Sequence, residues 1–288
     1  MIPAEFDYYA PSGLPEAVAL LRQHGDDAKV LAGGHSLIPL LKLRLANPPI
    51  LVDLGRIPEL RGIARGDGTV TVGAMTTHAQ VQRSEELRQS FPIMAEAAAV
   101  IGDPMVRNRG TYGGSLAHSD PAGDWPAVTL ALGASLRVMG PDGERTVPVD
   151  DFFVDMLTTA LQPNEVLTRI DLAVPAARTG MAYCKMQHPA SGYAVVGVAA
   201  VVGTDEAGVC TSCRVAATGA GAKATRLSAI EQALIGQALT PETIVAAAEH
   251  AGDDVEFLGD IYASEVYRAQ LLKVYAKRAL LAAAEAAH

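Results

Sequence analysis

Leu31-Ala32-Gly33-Gly34-His35-Ser36-Leu37 decides how the N-terminal part of the chain is read. Before it, Ala28–Ala32 is a short apolar run with the character of a buried strand. After it, Leu37–Leu45 has helical spacing. Paired glycines reach positive φ and let a backbone come close to a ligand. Amides that open a helix point outward and favour an anion. His35 and Ser36 add side-chain donors, so this strand–turn–helix suits a diphosphate. It is not a P-loop, because no lysine follows the glycines at the required spacing, and it does not match G-x-G-x-x-G.

Working outward, Phe6–Tyr9 reads as a strand. A helix follows with Pro15 in its first turn and Ala17, Val18, Leu20 and Leu21 facing inward. His24-Gly25 stops it, and Pro48-Pro49 breaks the next helix before the buried strand Ile50–Leu54. The result is a compact βαβαβ unit.

A second glycine pair lies in Arg109-Gly110-Thr111-Tyr112-Gly113-Gly114-Ser115-Leu116-Ala117-His118. One such pair is a common turn. Two of them with hydroxyl neighbours point to a diphosphate clamped from both sides. Around this loop, Leu60–Ala64 and Thr69–Val72 form an expected hairpin, as do Ser135–Met139 and Glu144–Val149. Thr76–Gln82, Ile93–Ile101 and Pro126–Leu132 read as helices, Val166–Leu172 as a strand, and Asp103–Asp124 as one long polar loop.

His118, Asp120 and Asp124 have an H-x-D-x-x-x-D spacing that fits no common metal site. Asp124 also suits two other uses: an acceptor for ligand hydroxyls, or the N-cap of the helix that Pro126 enters. Neither Ser36 nor Ser115 sits in a nucleophile elbow, so no catalytic residue is assigned. Cys210-Thr-Ser-Cys213 has C-x-x-C spacing but lies in a strand-like stretch with only Cys184 left as a further ligand, so the cysteines read as structural.

The last third carries strand patterns at Ala182–Met186, Tyr193–Val202 and Val209–Ala217, after a linker at Pro175–Gly180. Helical patterns follow at Ala229–Leu234, Pro241–Ala251 and Ala263–Ala287, with Tyr267, Leu271, Val274 and Tyr275 as the expected apolar stripe of the last. With 288 residues, two or three units are expected. A net charge of −9 disfavours nucleic-acid binding, so a phosphate must be held by local geometry. There is no run of apolar residues long enough to span a membrane and no signal-like start, so a cytoplasmic protein is expected.

The stretches AGGHSLIPLLKLRLANP at 32–48 and VRNRGTYGGSLAHSDPAGDWPA at 106–127 resemble the FAD-binding medium subunits of the molybdenum hydroxylases, the xanthine oxidase family. Within that family the likeness leans to aerobic carbon monoxide dehydrogenase and runs the whole chain, to ASEVYRAQLLKVYAKRAL at 263–280. The resemblance implies an α+β chain. A two-part FAD domain of the vanillyl-alcohol-oxidase-like type would fill 1–57 and 58–175. A C-terminal domain at 176–288 would hold a three-stranded antiparallel sheet and a helical bundle. It further implies that Ala32, Gly33, Gly34, His35, Ser36 and Leu37 bind the FAD diphosphate with Thr111, Gly113, Gly114, Ser115 and Ala117. Asp124 would hold ribityl or ribose hydroxyls, Leu161 would pack near the flavin ring, Lys185 would lie at its edge, and Tyr193 would cover a face. On residue type alone, Leu161 is equally a core residue, Lys185 a surface charge and Tyr193 an ordinary strand residue. The implied partners are a large molybdenum-cofactor subunit and a small subunit with two [2Fe–2S] clusters, in a dimer of heterotrimers. Any contact with the inner face of the membrane would come through that complex. Ser115 and Tyr112 stand where many relatives have Asn and Ile or Val, which leaves the glycine pair intact but alters the loop's packing.

Overall fold

The computed structural model describes residues 2–287. Positions 1 and 288, which end the first and last expected units, lie outside the described residues. The N-terminal elements are β1 (Asp7–Tyr9), α1 (Leu14–His24), β2 (Ala28–Leu31), α2 (Leu37–Leu43) and β3 (Ile50–Asp53). The three strands form a parallel sheet in the order β1-β3-β2, so the βαβαβ reading holds. Pro15 sits in the first turn of α1, and Gly25, at φ 54°, closes its end by donating to the Leu21 carbonyl. Ala17, Val18 and Leu21 turn inward against Val52, Leu54, Ile57 and Leu60.

The middle elements begin with β4 (Ile63–Gly66), β5 (Thr69–Gly73), α3 (His78–Arg83), α4 (Glu85–Ser90) and α5 (Pro92–Ala99). They continue with α6 (Pro104–Arg109), α7 (Tyr112–His118), α8 (Asp124–Leu132), β6 (Ser135–Gly140) and β7 (Gly143–Pro148). Next come the ribbon β8 (Phe153–Asp155) and β9 (Thr158–Thr159), then β10 (Val166–Ala173). Both expected hairpins flank β10 in a five-stranded antiparallel sheet, β4-β5-β10-β6-β7. Trp125, Tyr112, Phe91 and Phe152 fill the core against it, all fully buried.

The stretch expected as one polar loop, 103–124, is instead largely helical, as α6 and α7 show. Asp103 starts α6 by accepting from the Val106 amide at 2.9 Å, with Pro104 in the first turn. Thr111 starts α7 by accepting from the Gly114 amide. Six and seven residues are too few to show a 3.6-residue repeat, and glycines in the first turn of α7 hide it further.

The C-terminal elements are β11 (Thr179–Gln187), β12 (Ala194–Thr204), β13 (Cys210–Thr218), β14 (Thr225–Arg226), α9 (Ser228–Leu234), α10 (Pro241–Ala248) and α11 (Glu265–Ala286). The antiparallel sheet runs β11-β12-β13-β14, four strands where three were expected. The fourth has two residues, too short for any alternation to mark it. Helix α11 covers one face of β11 and β12, while α5 and α8 of the middle region cover the other. This double cover explains the almost unbroken apolar run of β12. Of the stripe expected on α11, Leu271 and Tyr275 pack at the edge of the core, and the centre of the buried face lies beside them. Leu272, Ala276, Ala279, Leu280 and Ala283 are buried with Arg268, whereas Tyr267 and Val274 are exposed. Close approach to the sheet selects alanine: a Cβ at Gly180 would collide with the Ala283 carbonyl. No described helix is long and apolar enough to cross a membrane.

Candidate cofactor-binding site

A cavity of about 1040 Å³ opens where the three sheets' connections meet. That is the upper end of the size range of small-molecule sites. Loop one contributes Ala32, Gly33, Gly34, His35, Ser36 and Leu37, and loop two contributes Gly110, Thr111, Gly113, Gly114, Ser115 and Ala117. Asp124, Leu161 and Tyr193 complete the expected set on the wall. Of the cofactor-binding residues expected from the sequence, Lys185 alone lies behind the lining rather than on it.

The two loops touch through their glycines. A Cβ on Gly33 would stand 2.7 Å from the Gly110 Cα, and one on Gly114 would stand 3.3 Å from the Ala32 Cβ. Loop two is bolted to β5 and the turn that follows it. Gly113 donates to the Ala74 carbonyl, Tyr112 to that of Thr76, and His78 to that of Gly110, at 2.9–3.0 Å. The Tyr112 ring points inward, pairs its hydroxyl with Thr129 at 2.9 Å, and has its phenol pushed up by burial. This is how the loop absorbs a bulky residue beside its glycine pair. Loop one has a looser hold: Ser36 stands at the N-cap of α2 without a capping bond, and only Leu41 of that helix is buried.

Asp124 is not an N-cap. Gly123 holds that position, and Asp124 lies in the first turn of α8 with its carboxylate buried. Tyr183 donates to its Oδ1 at 2.5 Å, and the Lys185 ammonium lies 2.9 and 3.1 Å from its two oxygens. Burial pushes the Asp124 carboxyl up, while the ammonium and the phenol pull it back. Lys185 also donates to the Val100 and Gly192 carbonyls, both at 2.9 Å. Its side chain is 3% exposed, so it is a buried cation rather than a solvated charge. The pair joins α8 to the β11–β12 connection that carries Tyr193. Removing either partner strands the other charge, at a cost of about 3–5 kcal/mol.

Tyr193 sits at the cavity rim, 43% exposed and one residue before β12. Its phenol is raised by burial and by the carboxylates of Asp120 and Asp124, and the Ser36 hydroxyl across the opening works against them. Leu161 both lines the cavity and packs on the middle core. His118 Nε2 is 3.8 Å from Asp120 Oδ2, with Asp124 engaged elsewhere. No cluster of three or more metal-ligating side chains forms among the described residues. Cys210 and Cys213 are buried on β13, where the Cys210 thiol donates to the Ser212 carbonyl at 3.4 Å.

Met75, His78, Ile101, Val106, Thr158, Thr159 and Gln162 also line the cavity and were not anticipated. Apart from Thr158 and Thr159, the two residues of β9, they are scattered along the chain, and only His78 carries a local signal: it opens a helix marked by the Thr77–Gln80 capping box.

Residues 4–176 match the family model described as the FAD binding domain in molybdopterin dehydrogenase, and residues 181–283 match the CO dehydrogenase flavoprotein C-terminal domain. The chain belongs to the FAD-binding subunits of the molybdopterin dehydrogenases. It is 43% identical over 283 residues to the carbon monoxide dehydrogenase medium chain of Hydrogenophaga pseudoflava, covering 98% of each chain. It is 38% identical to the 6-hydroxypseudooxynicotine dehydrogenase complex subunit alpha of Paenarthrobacter nicotinovorans, covering 97% of this chain and 95% of that one. A solved structure of carbon monoxide dehydrogenase from Hydrogenophaga pseudoflava superposes with a TM-score of 0.96 at 45% identity, covering 98% of each chain. The cavity fits the FAD that defines this family. The glycine contacts leave backbone, not side chains, facing the space between the loops. Free hydroxyl and imidazole donors surround that space, and its volume suits a dinucleotide.

Proposed function

We propose that this chain is the FAD-carrying electron-transfer subunit of a molybdenum hydroxylase complex, with carbon monoxide as the substrate oxidised on a partner chain. In this reading it takes electrons from the [2Fe–2S] clusters of a small subunit and passes them to an external acceptor. The large molybdenum-cofactor subunit completes a heterotrimer that pairs into a dimer, in the cytoplasm. The observation that carries the reading is the single cavity on which both glycine loops, Asp124, Leu161 and Tyr193 converge. Units at 1–57, 58–175 and 176–288 supply its three sides, the first two as a vanillyl-alcohol-oxidase-like pair.

FAD, when bound, supplies a centre that exchanges electrons singly or in pairs. The chain's own residues bind and orient it. Loops one and two enclose the diphosphate: loop two forms a wall whose amides are paired within the fold, and loop one offers its own amides with the side chains of Ser36 and His35. Asp124 offers its carboxylate to ligand hydroxyls while Lys185 fixes its position and balances its charge. Lys185, one layer behind the wall, offsets the Asp124 carboxylate, so that the ligand does not face an uncompensated negative charge. Leu161 and Tyr193 exclude water from the ring. No side chain of the cavity is arranged as a nucleophile with its base, so substrate oxidation belongs to the partner.

A second reading rests on the relative that acts on 6-hydroxypseudooxynicotine, which matches over nearly the same length. It keeps the flavin role and changes the substrate to an N-heterocycle. Purifying the chain with its partners and offering carbon monoxide, nicotine, xanthine and an aldehyde separates the two. The proposal expects turnover of carbon monoxide by the complex and none by the isolated chain. Turnover by the isolated chain would show a self-sufficient enzyme instead.

A further inference from the structure

His78 is the first residue of α3, fixed there by the Thr77–Gln80 capping box, and it is only 5% exposed. Its Nδ1 accepts a hydrogen bond from the indole Nε1 of Trp125 at 3.0 Å. An indole N–H can only donate, so Nδ1 carries no proton and the neutral ring must carry it on Nε2. Trp125 is fully buried and packed against Tyr112, with ring centroids 4.7 Å apart, so this tautomer is held by the core itself. Burial and the nearby His35 and Arg107 lower the imidazole to about 4, which keeps it neutral at physiological pH.

The opposite edge of the ring lines the cavity. Its Nε2 would stand 2.6 Å from a Cβ placed on Gly110, at the seam where loop two meets Gly33 of loop one. Among the described residues Nε2 has no hydrogen-bond partner. The ring lies on the cavity lining, so this N–H is open to the cavity, and native structures satisfy such donors with a ligand or an ordered water. This one faces the space between the diphosphate loops, with His35 and Arg107 as its charged or chargeable neighbours.

We propose that His78 is a binding residue for the ADP half of FAD, donating a hydrogen bond from Nε2 into the seam between the two glycine loops. The inference rests on the FAD reading above. A neutral donor suits this place, since a buried charge would need its own counter-ion whenever the ligand left. Trp125 is the positioning residue: it sets which nitrogen carries the proton.

The test uses the assembled complex, stripped of flavin and titrated with FAD by flavin fluorescence, with ADP as a competing probe. His78→Phe keeps the ring and removes the donor. It should weaken both FAD and ADP roughly tenfold to hundredfold, the effect of one hydrogen bond to a charged acceptor. His78→Gln can accept from Trp125 through its oxygen and donate through its amide, and should recover most of that affinity. Weakened FAD with unchanged ADP would overturn the assignment to the ADP half. Unchanged affinity for both, or equal losses in the two variants with matching falls in thermal midpoint, would overturn the binding role. A wild-type complex that takes up no FAD would overturn the flavin reading itself.

Discussion

The two glycine loops look alike in sequence, yet they are built on opposite principles. Loop two is part of a core: Thr111, Tyr112, Gly113 and Leu116 are buried, and its amides are spent on β5 and the turn beyond it. Loop one lies on a seven-residue helix with one buried residue, and the hydroxyl at its cap makes no capping bond and reaches across the opening toward Tyr193. One wall of the cavity is therefore set by folding, and the other keeps donors free for the ligand. The same motif serves architecture on one side and recognition on the other.

The sharpest way to break this contrast is Gly113→Ala. The new Cβ would meet the Ala74 Cα at 2.7 Å and its carbonyl at 2.8 Å, and neither can step aside. Overpacking at a buried backbone junction should cost about 3 kcal/mol of stability, read as a lower urea midpoint with loss of flavin. Acid should strike the same wall. Because the folded chain holds His78 near 4 while the unfolded chain titrates near 6.5, only the unfolded form takes up the proton in between. The stability is fully present above pH 6.5 and is lost as pH falls toward 4, by about 3 kcal/mol. His78→Gln should flatten that part of the pH profile.

Loop one should respond in ligand affinity rather than in stability. Gly33→Ala presses on the Gly110 backbone and prises the loops apart. FAD affinity should fall by about 2 kcal/mol, roughly thirtyfold, with little change in the apoprotein's melting. The smallest effect compares the two cap positions. Thr111→Ala removes a working cap and should cost about 1 kcal/mol of folding stability. Ser36→Ala should stay within about 0.5 kcal/mol and lower only flavin affinity. Equal stability losses in the two would erase the distinction between the loops.

Much of the cavity was legible because its chemistry is local. Glycine pairs, flanking hydroxyls and the strand–helix context of loop one all lie within a few residues. What failed to show was either too short or set by distant packing. Helices α6 and α7 and strand β14 are below the length at which periodicity speaks. The buried face of α11 is made of alanines and Arg268, whose guanidinium donates to the Val195 and Gly219 carbonyls and meets Asp260. The large residues Leu271 and Tyr275 at the edge of that face, with exposed Tyr267 and Val274, therefore drew the expected stripe to one side. Lys185 was placed near the flavin edge by the resemblance alone, because its seat behind Asp124 depends on Val100 and Gly192, far apart in the chain. His78 gains its meaning only from Trp125, 47 residues away.

The most direct test is the flavin content of the chain in its assembled complex, measured by absorption before and after heat release. The account predicts flavin bands, with about one FAD per chain released on denaturation and none retained by the Gly113→Ala complex. An intact wild-type complex that is colourless at this chain would contradict it.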